Sequence, residues 1–422
     1  MPTLSASNRT QVAYKSEGAS YPTGWGTFPA AGNGNLVRLT GETLDYTQGT
    51  EQSKELRSDR QVTDTITVSA TAQGGINFEL SYREYDWILE GIAQATYTEY
   101  GTLGVSASIA TLTLTSTTIT AGAAPTGADA FTTLNKGQWI RIVPPAGATQ
   151  TVKDYFNGRA FRIDSTTAPT STVITLDAAT PINTAIGGVS ISAGFISSSR
   201  LTNGSTMKSY SLEVGHLDIS RFRQYTGMIP SKLDLKIGVG SIIGGSVDFM
   251  GKGMVNPIPT TTGMGTVIAS KGYSPANAVR GVFDIFEGGS SITATTDIKS
   301  ADLSIDNTLR GQDAVGVLGN AGVAAGTLKA SGKLEVYFAD SVMYEKFLNN
   351  TETSLSIPIL DNAGNGYIFV YPRLKYTAAK VNAGGLDQDN MLSLDFTALM
   401  DNVATSATYQ KTFAIFRVGA TT

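Results

Sequence analysis

Hydrophobic and polar residues alternate along several short stretches of this chain. In the clearest stretch, Ile76, Phe78 and Leu80 alternate with Asn77 and Glu79. Because successive side chains of a β-strand point to opposite faces, a period of two places the apolar and polar residues on different sides. The pattern predicts a strand with one buried and one solvated face.

A helical period follows this strand directly. Tyr85, Ile88, Leu89 and Ile92 are spaced at i, i+3, i+4 and i+7. This spacing places the four side chains on one side of an α-helix. We therefore expect a short amphipathic helix that packs against a sheet.

The same order of patterns recurs in the C-terminal half. Leu334, Val336 and Phe338 form a second alternating strand after Gly332. A second helix pattern follows, and its Tyr344 lies 259 residues after Tyr85. The apolar stripe of this second helix is predicted to consist of Tyr344, Phe347 and Leu348.

Two further features occur once in each half. A long polar loop precedes each strand, at 45–63 and 307–327, and Ser246-Val247-Asp248-Phe249 is echoed by Ser393-Leu394-Asp395-Phe396. Short helices after strands are common, so a chance match is the alternative. Long loops are uncommon in compact domains, and the ordered agreement of four elements favours an internal repeat.

The composition changes between residues 101 and 199. This stretch is rich in Thr, Ala, Ser and Gly, and its apolar segments lie at 108–116, 137–145 and 171–179. It is typical of a small β domain inserted into a loop of a host domain. The predicted domains are 1–100 plus 200–254, the insertion at 101–199, a linker at 255–277, and 278–422.

Composition supports an all-β fold and limits the functions. The 422 residues include 46 Gly and only 16% charged residues, and the formal net charge is −4. A weakly acidic chain argues against a protein that grips nucleic acid, which needs a clustered basic face. The chain has no Cys, its N-terminal residues do not resemble a signal peptide, and no apolar run approaches membrane-spanning length, so we expect it to begin as a soluble cytosolic protein.

Several residue groups were weighed as chemical sites, and each favours a structural interpretation. The single histidine cannot form a histidine-based metal site or relay alone, and the glycines at 238–240 are followed by strand rather than helix. The acidic pairs lack the closing glutamate of a calcium loop or any mark of catalysis. We therefore predict no catalytic residues, no cofactor and no metal. The residues concerned are His216, Gly238, Gly240, Asp387, Asp389, Glu84, Asp86, Asp59 and Asp64.

In six segments the chain resembles the tail tube (major tail) proteins of long, non-contractile-tailed bacteriophages (siphophages). The segments are 38–44, 55–61, 74–89, 302–307, 326–348 and 416–418, and together with the residues between them they cover most of the chain outside 101–200. The resemblance implies two tandem β-sandwich domains, each with a short flanking helix. Their sheets would join those of neighbouring subunits into a ring-shaped β-barrel around a lumen.

The resemblance also implies a function and partners. The chain would be a structural subunit of the virion tail, assembled in the bacterial cytoplasm, whose stacked rings conduct DNA from capsid to host. Partners would be other copies, the tape-measure protein, passing DNA, and the tail terminator and tail-tip proteins. Another all-β virion or surface protein, such as a capsid decoration or glycan-binding adhesion protein, is the alternative. The insertion would decorate the outside of the tube.

The repeat and the resemblance together give a symmetry and candidate contact residues. Two tube folds per chain favour a trimeric ring with pseudo-sixfold symmetry over a hexamer. The long loops would reach the next ring, through Glu51, Lys54, Glu55, Arg57, Asp59, Arg60, Arg310 and Asp313. Polar positions of the two alternating strands would face the lumen, namely Asn77, Glu79, Lys333 and Glu335.

Overall fold

The structure of the chain is a computed structural model. It describes residues 5–30, 32–59, 61–101, 109–145, 147–156, 159–183, 190–279, 282, 285–292, 297–361, 363–402 and 411–419.

The N-terminal part of the chain is built from strands and one helix. These elements are β1 (Thr10–Ser16), β2 (Asn35–Val37), β3 (Gly41–Glu42), β4 (Asp45–Gln52), β5 (Thr65–Glu79), α1 (Asp86–Ala93) and β6 (Thr98–Glu99).

The region between β6 and residue 198 forms a sheet of its own. Its elements are β7 (Ile109–Leu114), β8 (Thr118–Ala121), β9 (Trp139–Val143), α2 (Gln150–Phe156), β10 (Phe161–Arg162), β11 (Val173–Thr175) and β12 (Ser190–Ser197). The strand order is β10-β9-β12-β7-β8-β11, and a separate apolar core lies around Ile140, Phe156 and Ile174.

The chain then returns to the first sheet and continues into the C-terminal half. The returning strands are β13 (Ser199–Thr202), β14 (Tyr210–His216), β15 (Arg221–Gly238), β16 (Gly244–Gly251) and β17 (Gly253–Met254). The C-terminal elements are β18 (Phe286–Glu287), β19 (Ser290–Ser291), β20 (Ile298–Asp306), β21 (Arg310–Gln312), β22 (Gly322–Ala324), β23 (Lys329–Tyr337), α3 (Val342–Leu348), β24 (Thr353–Leu360), β25 (Gly366–Asn382), β26 (Met391–Ala398) and β27 (Ala414–Val418).

Eight of these strands form one continuous antiparallel sheet across both halves. The order is β4-β5-β16-β15-β20-β23-β26-β25. The first four strands come from the N-terminal half and the last four from the C-terminal half, in the same arrangement. The all-β prediction is confirmed, and the sheet stays open at both edges within the chain.

The register of the two halves is the same. Val247 lies opposite Ile76 in β16 and β5, and Leu394 lies opposite Leu334 in β26 and β23. A one-residue bulge also recurs at the matching place, at Ser231 in the β15–β16 pair and between Tyr376 and Ala378 in the β25–β26 pair. Bulges re-aim a strand at a chosen point, so their recurrence shows that the two four-stranded units correspond residue by residue.

The second helix departs from the predicted stripe. In α3 the buried residue is Met343, Tyr344 and Phe347 are half-buried, and Leu348 is exposed because it is the last residue of the helix. Phe338 is also exposed, since β23 ends at Tyr337 and the alternation of the strand no longer applies. The matching residues of the first half, Leu80 and Leu89 among them, are buried.

One face of the eight-stranded sheet is covered by both helices and by the second layer of strands. In the second layer β14 pairs with β1 and with the first part of β15, and β24 pairs with the first part of β25. A shared apolar core extends through both halves and includes Ile76, Ile88, Leu235, Leu334 and Phe396. Each half is therefore a β-sandwich with a helix, and the two sandwiches share one core.

Residues 255–277, expected as a linker, pack against the first half. Ile268 forms a parallel bridge with Asn35, and Pro275 bridges Ser81. The buried Lys15 ammonium donates to the Gly263 carbonyl oxygen at 2.7 Å. This segment therefore runs along the first sandwich on its way to the second.

Arg417 ties the C-terminal strand to the N-terminal half. Its buried guanidinium contacts the carboxylates of Asp86 in α1 and Glu99 in β6, and lies 4.5 Å from the centre of the Tyr97 ring. Burial lowers the pKa of Arg417, but the nearby carboxylates outweigh it and the pKa is raised. Asp86, weighed above as half of a carboxylate pair, thus serves as a structural counter-ion.

We predict that Arg417→Leu destabilises the protein by about 2–4 kcal/mol, because it leaves two partly buried carboxylates without their cation. Thermal unfolding followed by circular dichroism should show a melting temperature lowered by several degrees. The matched control is Arg373→Leu, which breaks the more exposed Arg373–Glu352 pair and should lower the melting temperature far less, because solvent screens exposed ion pairs. Equal losses in both variants would contradict the role given to Arg417.

Candidate assembly interface

The second face of the eight-stranded sheet is uncovered and polar. Asn77 and Glu79 of β5 and Lys333 and Glu335 of β23 lie on this face, where their side chains are exposed or half-buried. Lys333 Nζ contacts Glu335 Oε1 at 3.1 Å. We call this surface the bare face, and its other charged residues include Asp45, Lys232, Asp234, Lys236, Asp248, Asp302, Asp306, Lys329, Lys380 and Asp395.

Acidic and basic side chains are interleaved on the bare face, and they shift each other's pKa values. A hydrogen bond to Asp234 at 2.7 Å raises the pKa of Lys232, and Glu335 does the same for Lys333. Partial burial and the carboxylates of Asp234 and Asp306 raise the pKa of Asp248. Among the described charged residues of the bare face, carboxylates outnumber lysines, so this face lacks the clustered basic surface that grips phosphate.

The two halves meet at the antiparallel pair of β15 and β20. Leu235 lies opposite Leu303, and the pairing extends from Lys232 to Gly238. Backbone hydrogen bonds flank it, from Asn307 N–H to Ser231 O at 2.9 Å and from Val239 N–H to Lys299 O at 3.2 Å. Because hydrogen-bonded pairs alternate along an antiparallel ladder, the backbone groups of 301, 303 and 305 point at β15.

The two outer edges of the eight-stranded sheet match the two strands that pair in the β15–β20 joint. By the shared register, β25 corresponds to β15 and residues 41–47 correspond to β20. Within the described residues, no strand pairs with the outer side of β4 or with the outer side of 378–382 in β25. In this correspondence Leu44 matches Leu303 and Val381 matches Leu235. The sheet therefore has two outer edges whose residues match those of the β15–β20 pair.

A hairpin arm extends from β4 and β5 at one end of the sheet. Glu51 lies in β4, and Lys54, Glu55, Arg57 and Asp59 are exposed in the loop that follows. Arg57 and Asp59 form a bidentate pair, with Nε–Oδ1 2.9 Å and Nη2–Oδ2 2.6 Å. Arg60 lies outside the described residues. The sequence reasoning missed the exposed apolar residues of this arm, which are Leu56, Val62, Ile66 and Val68.

The matching arm of the second half is β21 and β22, and its base packs against the first half of the same chain. The Asn320 amide donates to the Gly251 carbonyl oxygen at 2.8 Å, and Val323 N–H donates to the Tyr21 hydroxyl at 3.0 Å. Arg310 is exposed at the start of β21, where it pairs with Ala324, and Asp313 is exposed in the turn that follows β21. The exposed residues of this second arm run from Arg310 to Leu318 and include Val315.

Isolated apolar residues in a polar loop were the signal that could have identified the arm surface. Leu56 stands alone among charged residues of the loop and is fully exposed. A fully exposed large apolar side chain at a loop tip gains free energy only if something covers it. The charged residues predicted as contacts surround this position.

Comparison with known proteins identifies the family of the chain. The sequence profile of the family described as phage tail tube protein matches residues 7–398. The chain belongs to this family. No curated protein matches it. Membership makes it a structural component of a virion tail that assembles with itself into a tube.

Two searches of the described structure bear on other functions. Its described residues contain no group of three or more His, Asp or Glu side chains placed to hold a metal ion. In the same part of the chain, no helix has the length and hydropathy required to cross a bilayer.

We predict that Asp248→Asn leaves the fold intact and raises the melting temperature slightly at pH 7. Since the folded-state pKa of Asp248 is raised, its favourable contribution is complete below the unfolded-state pKa and is lost as pH rises through the folded-state pKa. The gain should be small, because solvent screens this mostly exposed group, and it should disappear near pH 3. Asp164→Asn is the control, and it should not stabilise, because the hydrogen bond from Thr166 lowers the pKa of Asp164 and favours its charged form. A loss of stability in Asp248→Asn at pH 7 would contradict this account.

Proposed function

We propose that three copies of this chain close head to tail into a ring with pseudo-sixfold symmetry, and that stacked rings form the tube of a long, non-contractile phage tail. The observation that carries the proposal is the intramolecular β15–β20 joint. A head-to-tail contact between unlike surfaces repeats from copy to copy until the ring closes. Each chain already contains one such contact, the β15–β20 pair, and its two free edges would form a second one with neighbouring copies. The two halves of one sheet favour the trimer over a hexamer of single folds.

The open joint has favourable side-chain pairs when the register of β15–β20 is applied to it. Lys380 of one copy would lie opposite Asp45 of the next, and Val381 opposite Leu44. Opposite charges placed directly across a strand pair stabilise it by roughly 0.2–1 kcal/mol. Closing the ring would also remove both exposed sheet edges.

The bare face would line the lumen, with Asn77, Glu79, Lys333 and Glu335 among the lining residues. The covered face carries the helices, so it is the bare face that can turn inward. DNA passing from capsid to host would meet interleaved carboxylates and lysines. Affinity for DNA grows with each phosphate neutralised, so a wall on which carboxylates outnumber lysines would allow the genome to slide. The tape-measure protein would occupy the same lumen before ejection.

The two ends of the sheet, along the direction of its strands, fit a stacked arrangement of rings. The arm tip lies at one end of β5, and Glu79, Gly244 and Lys236 form a row at the other end. Near that row the exposed Val239 borders a pocket of mixed lining. Its apolar residues include Ile237, Val282, Ile285 and Ile298, and its polar residues are Asp297, Lys299 and Ser300. We propose that Leu56 and the charged loop residues around it contact this end of the next ring.

We also propose the domain division and the remaining partners. The tube folds would be 1–100 plus 200–254 and 278–422, with 101–199 as an insertion on the outside. Arg141 Nη1 donates to Asn365 Oδ1 at 2.9 Å, and Trp139 packs on Phe286, so the insertion would ride rigidly on the second half. Terminator and tail-tip proteins would cap the tube, which would be assembled in the host cytoplasm.

The ring proposal is tested by Val381→Pro. Leu235 directs its N–H to β20, and by the shared register Val381 directs its N–H to the outer side of β25. Proline at 381 therefore removes a hydrogen-bond donor of the open edge without removing a hydrogen bond to β26. We expect this variant to remain folded by circular dichroism but to form no rings in negative-stain electron microscopy. Val381→Thr keeps the N–H and should still assemble. Three-fold rings from Val381→Pro, or no rings at all from the unmodified protein, would overturn the proposal.

Stacking is tested separately by Leu56→Ser. This change removes the exposed apolar side chain of the arm tip and leaves both sheet edges unchanged. We expect rings of normal size that rarely stack, seen as short tubes or single rings by electron microscopy. Ser53→Ala in the same loop is the control. Long tubes from Leu56→Ser would assign stacking to other residues.

A further inference from the structure

The open edge at Leu44 is covered by side chains of its own chain. Leu44 N–H donates to Glu42 Oε2 at 2.9 Å, and the Tyr225 hydroxyl donates to the Leu44 carbonyl oxygen at 2.9 Å. Arg223 closes the group, with Nη2 on Glu42 Oε1 at 2.8 Å and Nη1 on the Leu44 carbonyl oxygen at 3.2 Å. We call Glu42, Arg223 and Tyr225 the edge cap.

The backbone groups held by the edge cap are those that strand pairing would use. Thr43 N–H donates to Gly75 O at 2.9 Å, so the groups of Thr43 point inward to β5. In an antiparallel ladder the next residue then points outward. The amide and carbonyl of Leu44 therefore face the side on which a second copy would add β25.

The closed joint lacks the edge cap at the corresponding positions. Leu303, which matches Leu44, pairs with Leu235 of β15. Glu42 is matched by Ala301 and Arg223 by Phe369. Tyr371, which matches Tyr225, is fully buried, and its hydroxyl has no hydrogen-bond partner in the described structure. The charged pair is present only where the edge is open.

We propose that the edge cap is a self-protecting contact that blocks pairing of the 41–47 edge until the 378–382 edge of a second copy displaces it. The inference rests on the proposed ring. Natural sheets protect exposed edges with charged side chains, and this cap satisfies the outward groups of Leu44 in the free chain. Ring closure must exchange those side-chain hydrogen bonds for the main-chain bonds of Val381.

Displacing the edge cap costs free energy, and this cost raises the concentration that ring closure requires. Arg223 and Glu42 are about a quarter and a sixth exposed, so their attraction is only partly screened by salt. Losing a few charge-assisted hydrogen bonds at the edge subtracts from the free energy of closure. The cap would therefore keep free subunits apart at low concentration.

The test is the double variant Glu42→Ala/Arg223→Phe, which reproduces the residues of the closed joint. We expect its critical concentration for assembly, measured by sedimentation and light scattering, to fall about tenfold, the change that corresponds to about 1.4 kcal/mol. The control Arg162→Phe/Asp177→Ala removes an ion pair of similar exposure in the insertion and should leave assembly unchanged.

Two further measurements keep the test decisive if the double variant is unstable. In the monomer, Glu42→Gln should speed hydrogen exchange of the Leu44 amide several-fold. Raising ionic strength from about 0.05 M to about 0.5 M should shorten the assembly lag of the unmodified protein more than that of Glu42→Gln.

The outcomes separate this inference from the ring itself. Slower or unchanged assembly of the folded double variant, or unchanged Leu44 exchange in Glu42→Gln, would overturn the edge cap while the ring proposal stands. Failure of the unmodified protein to form rings would overturn the ring proposal instead.

Discussion

The antiparallel pairing of β15 with β20 is the constraint on which the rest of the structure depends. It joins two four-stranded units into one sheet, and it fixes the register in which they meet. Because the two units match residue by residue, fixing one joint also determines the shape of both free edges. The same pairing sets which face is covered, since both helices lie on one side of the sheet. Edge chemistry, arm position and the bare face all follow from it.

The sequence predicted the repeated elements because their periodicity is local. Alternation around Ile76 and Leu334 and the matching tetrapeptides at Asp248 and Asp395 predicted the equivalent strands. In the structure β5 pairs with β16 and β23 pairs with β26 in the same register. Local patterns failed at element ends. Phe338 continues the alternation in sequence, yet it lies past the last residue of β23 and is exposed.

Features that depend on distant residues could not be predicted from the sequence. Arg417 meets Asp86 only because β27 inserts between β13 and β25. The open edges at 41–47 and 378–382 were not predicted either. A strand is an edge strand only if no other strand pairs with its outer side, and local sequence does not reveal that. The charged loop residues that the structure describes are exposed, and their contacts with the next ring stay a prediction. Leu56 gave a weaker signal because a single apolar residue in a polar loop is common.

In the proposed ring, the presence of two tube folds in one chain changes the energetics of closure. The covalent link would make one joint of each pair intramolecular, so its formation would not carry the loss of translational and rotational freedom of association. The permanent joint needs no protection, and it carries Ala301 and the apolar Phe369 at positions where the open joint carries Glu42 and Arg223. An unduplicated subunit would have to use one sequence for both purposes. Two copies of the fold in one chain allow one edge to be optimised for permanent packing and the other for solubility before assembly.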